Sequence, residues 1–309
     1  TLLLGGDYPD PSIIRDGDTY YMVHSSFEYT PGLLIFESKN LIDWTPVTNA
    51  LRQYIGSIWA PDIVKHENRW YIYFPAVTAK GITNMVVWAD TPRGPWSDPI
   101  DLKIGGIDPG HAVDQNGNRF LMMDNGMLVP LAVNGLSIKG PAKKVYDGWI
   151  FPEDWNVEGF CLEGPKIKKI GKYYYMLSAE GGTAGPPTSH MVVVARAENL
   201  YGPWENSPYN PLVHTYDNDE HWWSKGHGTL IDTPEGDWYV VYHAYERDFY
   251  TLGRQTLIEP VEMNKEGWFV PSSKGKLSKK AKRASRNFSD DFSTNRIGVQ
   301  WRFHGAYTH

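Results

Sequence analysis

"DYPDPSIIRDGDTYYMVHSS" (residues 7–26) decides the fold, because related stretches return four more times along the 309-residue chain. It contains an acid, a proline, a short apolar run, a turn with glycine, and then a strand rich in tyrosine. The related stretches are "WAPDIVKHENRWYIYFPA" (59–76), "IDPGHAVDQNGNRFLMM" (107–123), "LEGPKIKKIGKYYYMLSAEG" (162–181) and "GHGTLIDTPEGDWYVVYHAY" (226–245). A motif that recurs at long, similar intervals is typical of a repeat architecture.

Each repeat has one residue at the position of the acid, which we call its anchor. The anchors are Asp10, Ala60, Asp108, Glu163 and His227, spaced 50, 48, 55 and 64 residues apart. Units of about 40 to 60 residues, each made of several short strands, fit the blades of a β-propeller. No stretch has a sustained 3.6-residue apolar period, which indicates little helix. The sequence predicts an all-β protein with a five-bladed β-propeller. A β-sandwich is the alternative fold, but it would not explain the regular return of one motif.

The chain is predicted to contain one domain and the beginning of another. Residues 1–285 are expected to form the propeller, and residues 286–309 to begin a C-terminal β-sandwich domain. The last segment, "RNFSDDFSTNRIGVQWRFHGAYTH", is rich in strand formers, yet its 24 residues are too few to bury a core of their own. Either the chain is cut within a second domain or this tail packs on the propeller.

Composition narrows the classes of partner. The net charge is −6 although seven basic residues are concentrated at 274–286, so the rest of the chain is more acidic still. This argues against nucleic acid as the main partner, and we interpret the basic run as a solvated linker rather than a binding patch. No apolar stretch approaches the roughly 20 residues of a membrane helix. Aromatic residues make up 14% of the chain, which fits a sugar-binding protein and equally a β-rich core.

The anchors carry the chemistry that the sequence predicts. The first strand of each propeller blade lines the central axis, so Asp10, Asp108 and Glu163 are expected to face one another together with His227. Hydrolysis of a glycosidic bond needs one protonated and one ionised carboxyl group. A third carboxylate nearby helps to keep the acid protonated. Glu163, one methylene longer, suits the acid. A single acid–proline pair often only starts a strand or turn, but several anchors in matching phase favour a site.

Four other residues are candidates for binding. Glycines on both sides of His227 make room for a ligand or an ion. Trp59 is expected at the mouth of the channel, where it could stack on a sugar, and Phe27 could wall the same pocket; packing is the alternative for both. Arg254 could bind sugar hydroxyls or a carboxylate, or form a surface ion pair instead. The chain has no transition-metal, nucleophile-elbow, phosphate-loop or dinucleotide motif, so no organic cofactor is predicted.

At these residues the chain resembles glycoside hydrolase family 43, whose members are five-bladed propellers that act on plant cell-wall pentosans. The matching motifs include "YPDPSIIRDGDTYYM", "WAPDI", "IDPGHAVDQNGNRFLM", "EGPKIKKIGKYYYML" and "GHGTLI", and they span residues 5 to about 270. The resemblance implies an inverting hydrolase. In it Asp10 would be the general base, Glu163 the general acid, and Asp108 the residue that tunes and orients Glu163. The two catalytic carboxyl groups are then expected about 6.5–9.5 Å apart.

The resemblance also implies roles for the binding candidates. His227 matches a histidine through which, with water, many family members hold an axial calcium ion. Trp59 and Arg254 match residues of the substrate subsite, and the segment around Phe27 looks like the β-xylosidase branch. "SDDFSTNRIGVQW" is similar to the start of the C-terminal sandwich that such branches carry.

The leading hypothesis is an exo-acting glycosidase that releases xylose or L-arabinofuranose from xylo-oligosaccharides or arabinoxylan of the plant cell wall. Two alternatives remain at this stage: a non-catalytic carbohydrate-binding propeller and a scaffold that recruits proteins. The sequence does not rank the two pentoses, because they differ by contacts worth about 1–3 kcal/mol.

Overall fold

The structure, a computed structural model, describes residues 1–274, 277, 291–293 and 297–306 and consists mainly of short antiparallel strands. Helix in these residues is limited to two single turns of 3-10 type, at Asp124–Gly126 and Tyr250–Leu252. No helix within the described ranges has the length and apolarity to cross a membrane. The prediction of an all-β protein with little helix is therefore confirmed.

Five sheets of four or five strands form the five blades of a propeller, as the repeats predict. After strand β1 (Leu2–Leu4), blade one contains β2 (Ser12–Asp16), β3 (Thr19–Val23), β5 (Gly32–Ser38) and β6 (Thr45–Leu51), with the short β4 (Tyr29–Thr30) outside its sheet. Blade two contains β7 (Ser57–Ile58), β8 (Asp62–His66), β9 (Arg69–Thr78), β10 (Gly81–Ala89) and β11 (Ile100–Asp101). Blade three contains β12 (Gly110–Val113), β13 (Arg119–Met123), β14 (Met127–Pro130) and β15 (Lys143–Lys144).

Blades four and five follow the same plan with longer inner strands. Blade four contains β16 (Glu163–Ile170), β17 (Tyr173–Glu180), β18 (Met191–Ala197), β19 (Glu205–Asn206) and β20 (Val213–His214). Blade five contains β21 (Trp222–Asp232), β22 (Trp238–Glu246), β23 (Gln255–Met263) and β24 (Phe269–Pro271). Each blade therefore corresponds to one of the sequence repeats.

Strand β1 closes the ring of blades. It precedes blade one in the sequence but pairs antiparallel with β23 of blade five. The backbone nitrogen of Thr1 donates a hydrogen bond to the carbonyl of Ile258 at 2.9 Å, and Leu3 is buried between the two blades. The first and fifth blades are thus joined by backbone hydrogen bonds as well as by packing.

Apolar side chains pack between neighbouring blades and fix their relative positions. Val23 and Ile35 of blade one pack with Ile63, Trp70 and Ile72 of blade two, and all are almost completely buried. Burying such a side chain stabilises the fold by about 1.5–3 kcal/mol. Equivalent clusters lie at the other blade interfaces. The inner strands therefore surround the axis as a rigid frame.

The inner strands β2, β8, β12, β16 and β21 contact one another around a central channel. Toward their C-terminal ends the channel opens into a cavity of about 370 Å³ whose lining includes Ile14, Asp62, Lys166 and Thr229. Four of the anchors lie at or just before the opposite, N-terminal ends of these strands, and His227 lies within β21. The frame thus gathers residues from all five repeats at one end of the channel.

The described part of the tail contacts the propeller. Strand β25 (Phe303–His304) pairs antiparallel with β4, and the amide of Gly305 donates to the carbonyl of Glu28 at 2.7 Å. The predicted domain boundary at 285/286 and nearly all of the basic run lie outside the described residues. The start of a β-sandwich stays a prediction.

Candidate active site

Three anchors share an uncommon backbone conformation. Asp10, Asp108 and His227 have φ angles of 58°, 56° and 55°, in the left-handed region that non-glycine residues seldom occupy. Such conformations persist only where the surrounding structure enforces them, and they concentrate at functional sites. Because the same conformation recurs in three blades, it turns three side chains inward at the same level of the channel.

Blade four departs from the predicted phase. Its left-handed residue is Gly164, with a φ of 60°. Gly164 therefore corresponds to Asp10, Asp108 and His227, and Glu163 lies one residue before the position that the repeat predicts for it. A Cβ atom on Gly164 would lie 3.0 Å from ring atoms of His227. The imidazole therefore occupies the space that a blade-four side chain would need, and the carboxyl group of this blade comes from the preceding residue.

Asp10 lies in a dense set of polar contacts. The guanidinium of Arg254 donates to its two carboxylate oxygens at 3.0 and 3.5 Å. The hydroxyl of Ser25 donates to Oδ2 at 2.5 Å, and Nδ1 of His227 lies 3.4 Å from Oδ1. The backbone amide of Asp10 donates to Nδ1 of His243 at 3.0 Å. These contacts fix the carboxylate in one position.

The surroundings of Asp10 favour its ionised form. Burial is the largest single influence and would raise the pKa of this carboxyl, but the charge of Arg254, together with the contacts to His227 and His243, more than offsets burial and holds the pKa well below its ordinary value. Arg254 is the main cation here because burial lowers the pKa of His227 to about 3 and also lowers that of His243, so both imidazoles are neutral. Asp10 is therefore a carboxylate at neutral pH.

Glu163 and Asp108 form the second part of the site. Burial and then the negative charge of Asp10 raise the pKa of Glu163 to about 7. Burial and then the negative charge of Glu163 raise the pKa of Asp108 well above its ordinary value. The two groups titrate as a pair that retains a proton near neutrality. Asp108 Oδ2 accepts the amide of Gly164 at 3.0 Å and is fully buried, whereas Glu163 is the more exposed of the two.

Arg254 and the aromatic candidates lie around Asp10. Arg254 directly precedes β23 and so belongs to blade five, and its side chain is only 14% exposed. It therefore pairs with a buried carboxylate and is not part of a surface ion pair. Its guanidinium lies 5.9 Å from the ring centre of Phe27, and Phe27 bridges to Ile58, the residue before Trp59. Both aromatic residues are partly exposed.

The protein side chains around His227 supply few of the ligands that a calcium ion takes. Its Nε2 is buried without a hydrogen-bond partner, so one nitrogen ligand is present. Calcium takes six to eight ligands and prefers oxygen. Within the described part of the chain, no group of three or more histidine, cysteine or acidic side chains is arranged to hold a metal. A calcium ion held through His227 and water stays a prediction.

Sequence reasoning missed two contacts of Asp10. Ser12 pairs with Val23 in the β2–β3 hairpin, and extending that register by two residues places Ser25 opposite Asp10. The turn dipeptide Asp16-Gly17 is visible in the sequence, and its position sets the register that pairs Asp10 with Ser25. His243 lies opposite Gly226 in the β21–β22 hairpin, next to an anchor in the same way.

Comparisons with known proteins identify the family of this chain. The sequence pattern of the glycosyl hydrolases family 43 matches residues 3–269. The chain therefore belongs to glycosyl hydrolases family 43. It is 30% identical to the non-reducing end α-L-arabinofuranosidase BoGH43B of Bacteroides ovatus, covering 97% of this chain and 60% of that protein. It is 28% identical to a β-xylosidase of Bacillus subtilis, covering 88% of this chain and 56% of that protein.

The solved structures show the same relationship. The GH43 protein BlXynB of Bacillus licheniformis superposes with a TM-score of 0.86 at 34% identity, covering 97% of this chain and 63% of that one. The xyloglucan-locus GH43B protein of Bacteroides ovatus gives a TM-score of 0.86 at 29% identity, covering 100% of this chain and 64% of that one. The chain thus spans less than two thirds of the length of these relatives.

Proposed function

We propose that this protein is an inverting, exo-acting glycoside hydrolase that releases xylose or L-arabinofuranose from xylo-oligosaccharides or arabinoxylan. One observation carries the proposal: the surroundings shift the pKa values of two carboxyl groups in opposite directions, that of Asp10 well below its ordinary value and that of Glu163 to about 7. A base and an acid are then both ready at neutral pH, as hydrolysis of a glycosidic bond requires.

In the proposed reaction, Asp10 accepts a proton from a water molecule. The water oxygen forms a bond to the anomeric carbon while the bond from that carbon to the leaving oxygen breaks. Glu163 gives its proton to the leaving oxygen. The product has the opposite anomeric configuration because attack and departure take place on opposite faces of the sugar.

The other residues would position these two groups. Arg254 and Ser25 hold the Asp10 carboxylate. Asp108 accepts the amide of the residue after Glu163 and so fixes the start of β16, from which Glu163 projects. Phe27 and Trp59 are proposed to flank the terminal pentose. The family members named as β-xylosidase and arabinofuranosidase support a pentose substrate but do not rank the two sugars.

The proposal is tested with nitrophenyl β-D-xyloside and α-L-arabinofuranoside, followed by xylo-oligosaccharides. We expect nitrophenol release from at least one pentoside, single sugars from the oligosaccharide ends, and inversion of the anomeric proton signal in NMR. Oligosaccharide binding with no sugar released over hours would instead identify a non-catalytic carbohydrate-binding propeller. Release with retained configuration would refute the roles given to Asp10 and Glu163.

A further inference from the structure

A second ring of residues lies in the channel directly beyond the anchors. Two positions after each left-handed residue, and after Ala60 in blade two, the inner strands place five residues around the axis, four of which carry side chains: Ser12, Asp62, Gly110, Lys166 and Thr229. They connect the blades. The Ser12 hydroxyl donates to Asp62 Oδ1 at 2.9 Å, and the Thr229 hydroxyl donates to the carbonyl of Pro11 at 2.8 Å.

Lys166 reaches from blade four to blades two and three in this ring. Its ammonium donates to the carbonyl oxygens of Pro61 at 2.9 Å and Pro109 at 3.3 Å, and it lies 3.3 Å from Asp62 Oδ1. The side chain is 5% exposed. A buried lysine is rare unless it is paired, because an isolated charge is costly to remove from water. Three oxygen atoms of the protein therefore surround this ammonium.

The Asp62 carboxylate is also held by hydrogen bonds that do not involve Lys166. Its Oδ2 accepts the amide of His111 at 2.7 Å, while Oδ1 accepts the Ser12 hydroxyl. The carboxylate thus keeps its place whether or not the ammonium is present. The same two oxygen classes that contact Lys166, backbone carbonyl and carboxylate, are the ligands that calcium prefers.

The charge of Lys166 acts on the catalytic ring one level away. It favours the ionised form of Asp108 and the neutral form of His227. The acids of the channel therefore already have a buried cation between them and the open cavity at the far end. This matches the poor fit of His227 to a metal ion described above.

We propose that the Lys166 ammonium takes the position of an axial metal ion, so that this propeller holds its channel and its acids without calcium. Removing the ammonium leaves the carbonyls of Pro61 and Pro109 and the Asp62 carboxylate as an oxygen-lined site. The 370 Å³ cavity, which both Lys166 and Asp62 line, gives calcium a path to that site from the end opposite the catalytic acids.

The test compares wild type, Lys166→Ser and Lys166→Met by thermal unfolding in calcium chloride and in EGTA, with calcium titrated calorimetrically into each protein. Wild type should unfold at the same temperature in both buffers and bind no calcium in the channel. Lys166→Ser should unfold about 5 °C or more below wild type in EGTA and recover several degrees in calcium. Lys166→Met fills the channel without a charge, so it should be destabilised and gain little from calcium.

Lys168→Ser is the matched control. Lys168 lines the same cavity two residues on, but its ammonium pairs with Asp232 at 2.5 Å and its side chain is 35% exposed. This variant should gain no response to calcium. A wild type that is stabilised by calcium or destabilised by EGTA overturns the proposal, even if no variant folds. A folded Lys166→Ser that does not respond to calcium overturns it as well.

A kinetic measurement adds the effect on the reaction, and this part alone rests on the proposed function. With a nitrophenyl pentoside, Lys166→Met should lower kcat by tenfold or more with little change in KM, since the ammonium lies beyond the acids and not against the sugar. Calcium should restore part of the kcat of Lys166→Ser and none of that of Lys166→Met. If wild type hydrolyses no pentoside, the proposed function fails, whereas the unfolding and binding measurements still decide the role of Lys166.

Discussion

The loss of activity at alkaline pH is the sharpest test of Glu163 as the acid. The pKa of this carboxyl is raised to about 7, and only the protonated form can give a proton to the leaving oxygen. The value of kcat/KM should therefore fall as pH rises through 7. It should drop roughly tenfold by pH 8 and a hundredfold by pH 9, because each unit above the pKa reduces the protonated fraction tenfold.

The variant Glu163→Gln separates this titration from any other. It cannot donate a proton, so hydrolysis of an alkyl xyloside, whose leaving oxygen needs that proton, should fall by about 10²–10⁴-fold. A dinitrophenyl pentoside has a leaving group that departs without protonation, and its hydrolysis should be largely retained. With that substrate the decline above pH 7 should disappear in the variant.

The assay is initial-rate kinetics from pH 4 to 9 with both substrates and both proteins, with unfolding temperatures recorded at each pH to exclude loss of fold. The reasoning is refuted if Glu163→Gln keeps the alkaline decline of wild type, or if it loses the alkyl and the dinitrophenyl substrates equally. Either result would assign the acid to another group.

Four further results follow from the same contacts. Asp10→Asn should lower turnover by about 10²–10⁴-fold while leaving the unfolding temperature near that of wild type; wild-type turnover would remove this residue from the reaction. Arg254→Met should move the acidic decline of kcat/KM to higher pH, because the guanidinium that holds down the pKa of Asp10 is gone, and an unmoved decline would contradict that role. Glu163→Gln should unfold at a higher temperature than wild type at pH 8 but not at pH 4, since a carboxyl whose pKa rises from 4.5 to about 7 on folding lowers stability progressively between those two pH values; equal shifts at pH 4 and pH 8 would argue against the raised pKa. Gly164→Ala should lower the unfolding temperature by several degrees, as its Cβ would lie 3.0 Å from the His227 ring at a φ of +60°, and a neutral effect would show that the ring can move.

The sequence predicts the fold and most of the acids because both follow from a repeat. Five related stretches are enough to predict five blades, and radial symmetry then brings Asp10 and Asp108 to the same end of the channel. The position of Glu163 was predicted one residue out of phase, since Gly164 takes the left-handed position in blade four. Only the ring of His227, packed against that glycine, explains the shift.

The partners that set protonation were harder to predict. Arg254 contacts Asp10 across 244 positions of sequence, and Lys166 contacts Pro61 across 105. The sequence marks Arg254 as a binding candidate but does not show that its partner is Asp10, and no local pattern distinguishes Lys166, because both contacts come from burial and from which blades are neighbours. Register, in contrast, does carry local information: the hairpin that pairs Ser12 with Val23 would have been sufficient to locate Ser25, although the sequence analysis missed it.

The pairing of β1 with β23 has a consequence for how the protein is made. Asp10 leaves the ribosome early. Arg254, whose guanidinium pairs with it, and strand β23, which pairs with β1, emerge some 240 residues later. During synthesis β1 lacks its partner strand and Asp10 lacks its guanidinium, and neither is supplied until blade five emerges. The proposed active site should therefore form abruptly, once β23 has emerged and the two extremities of the propeller join.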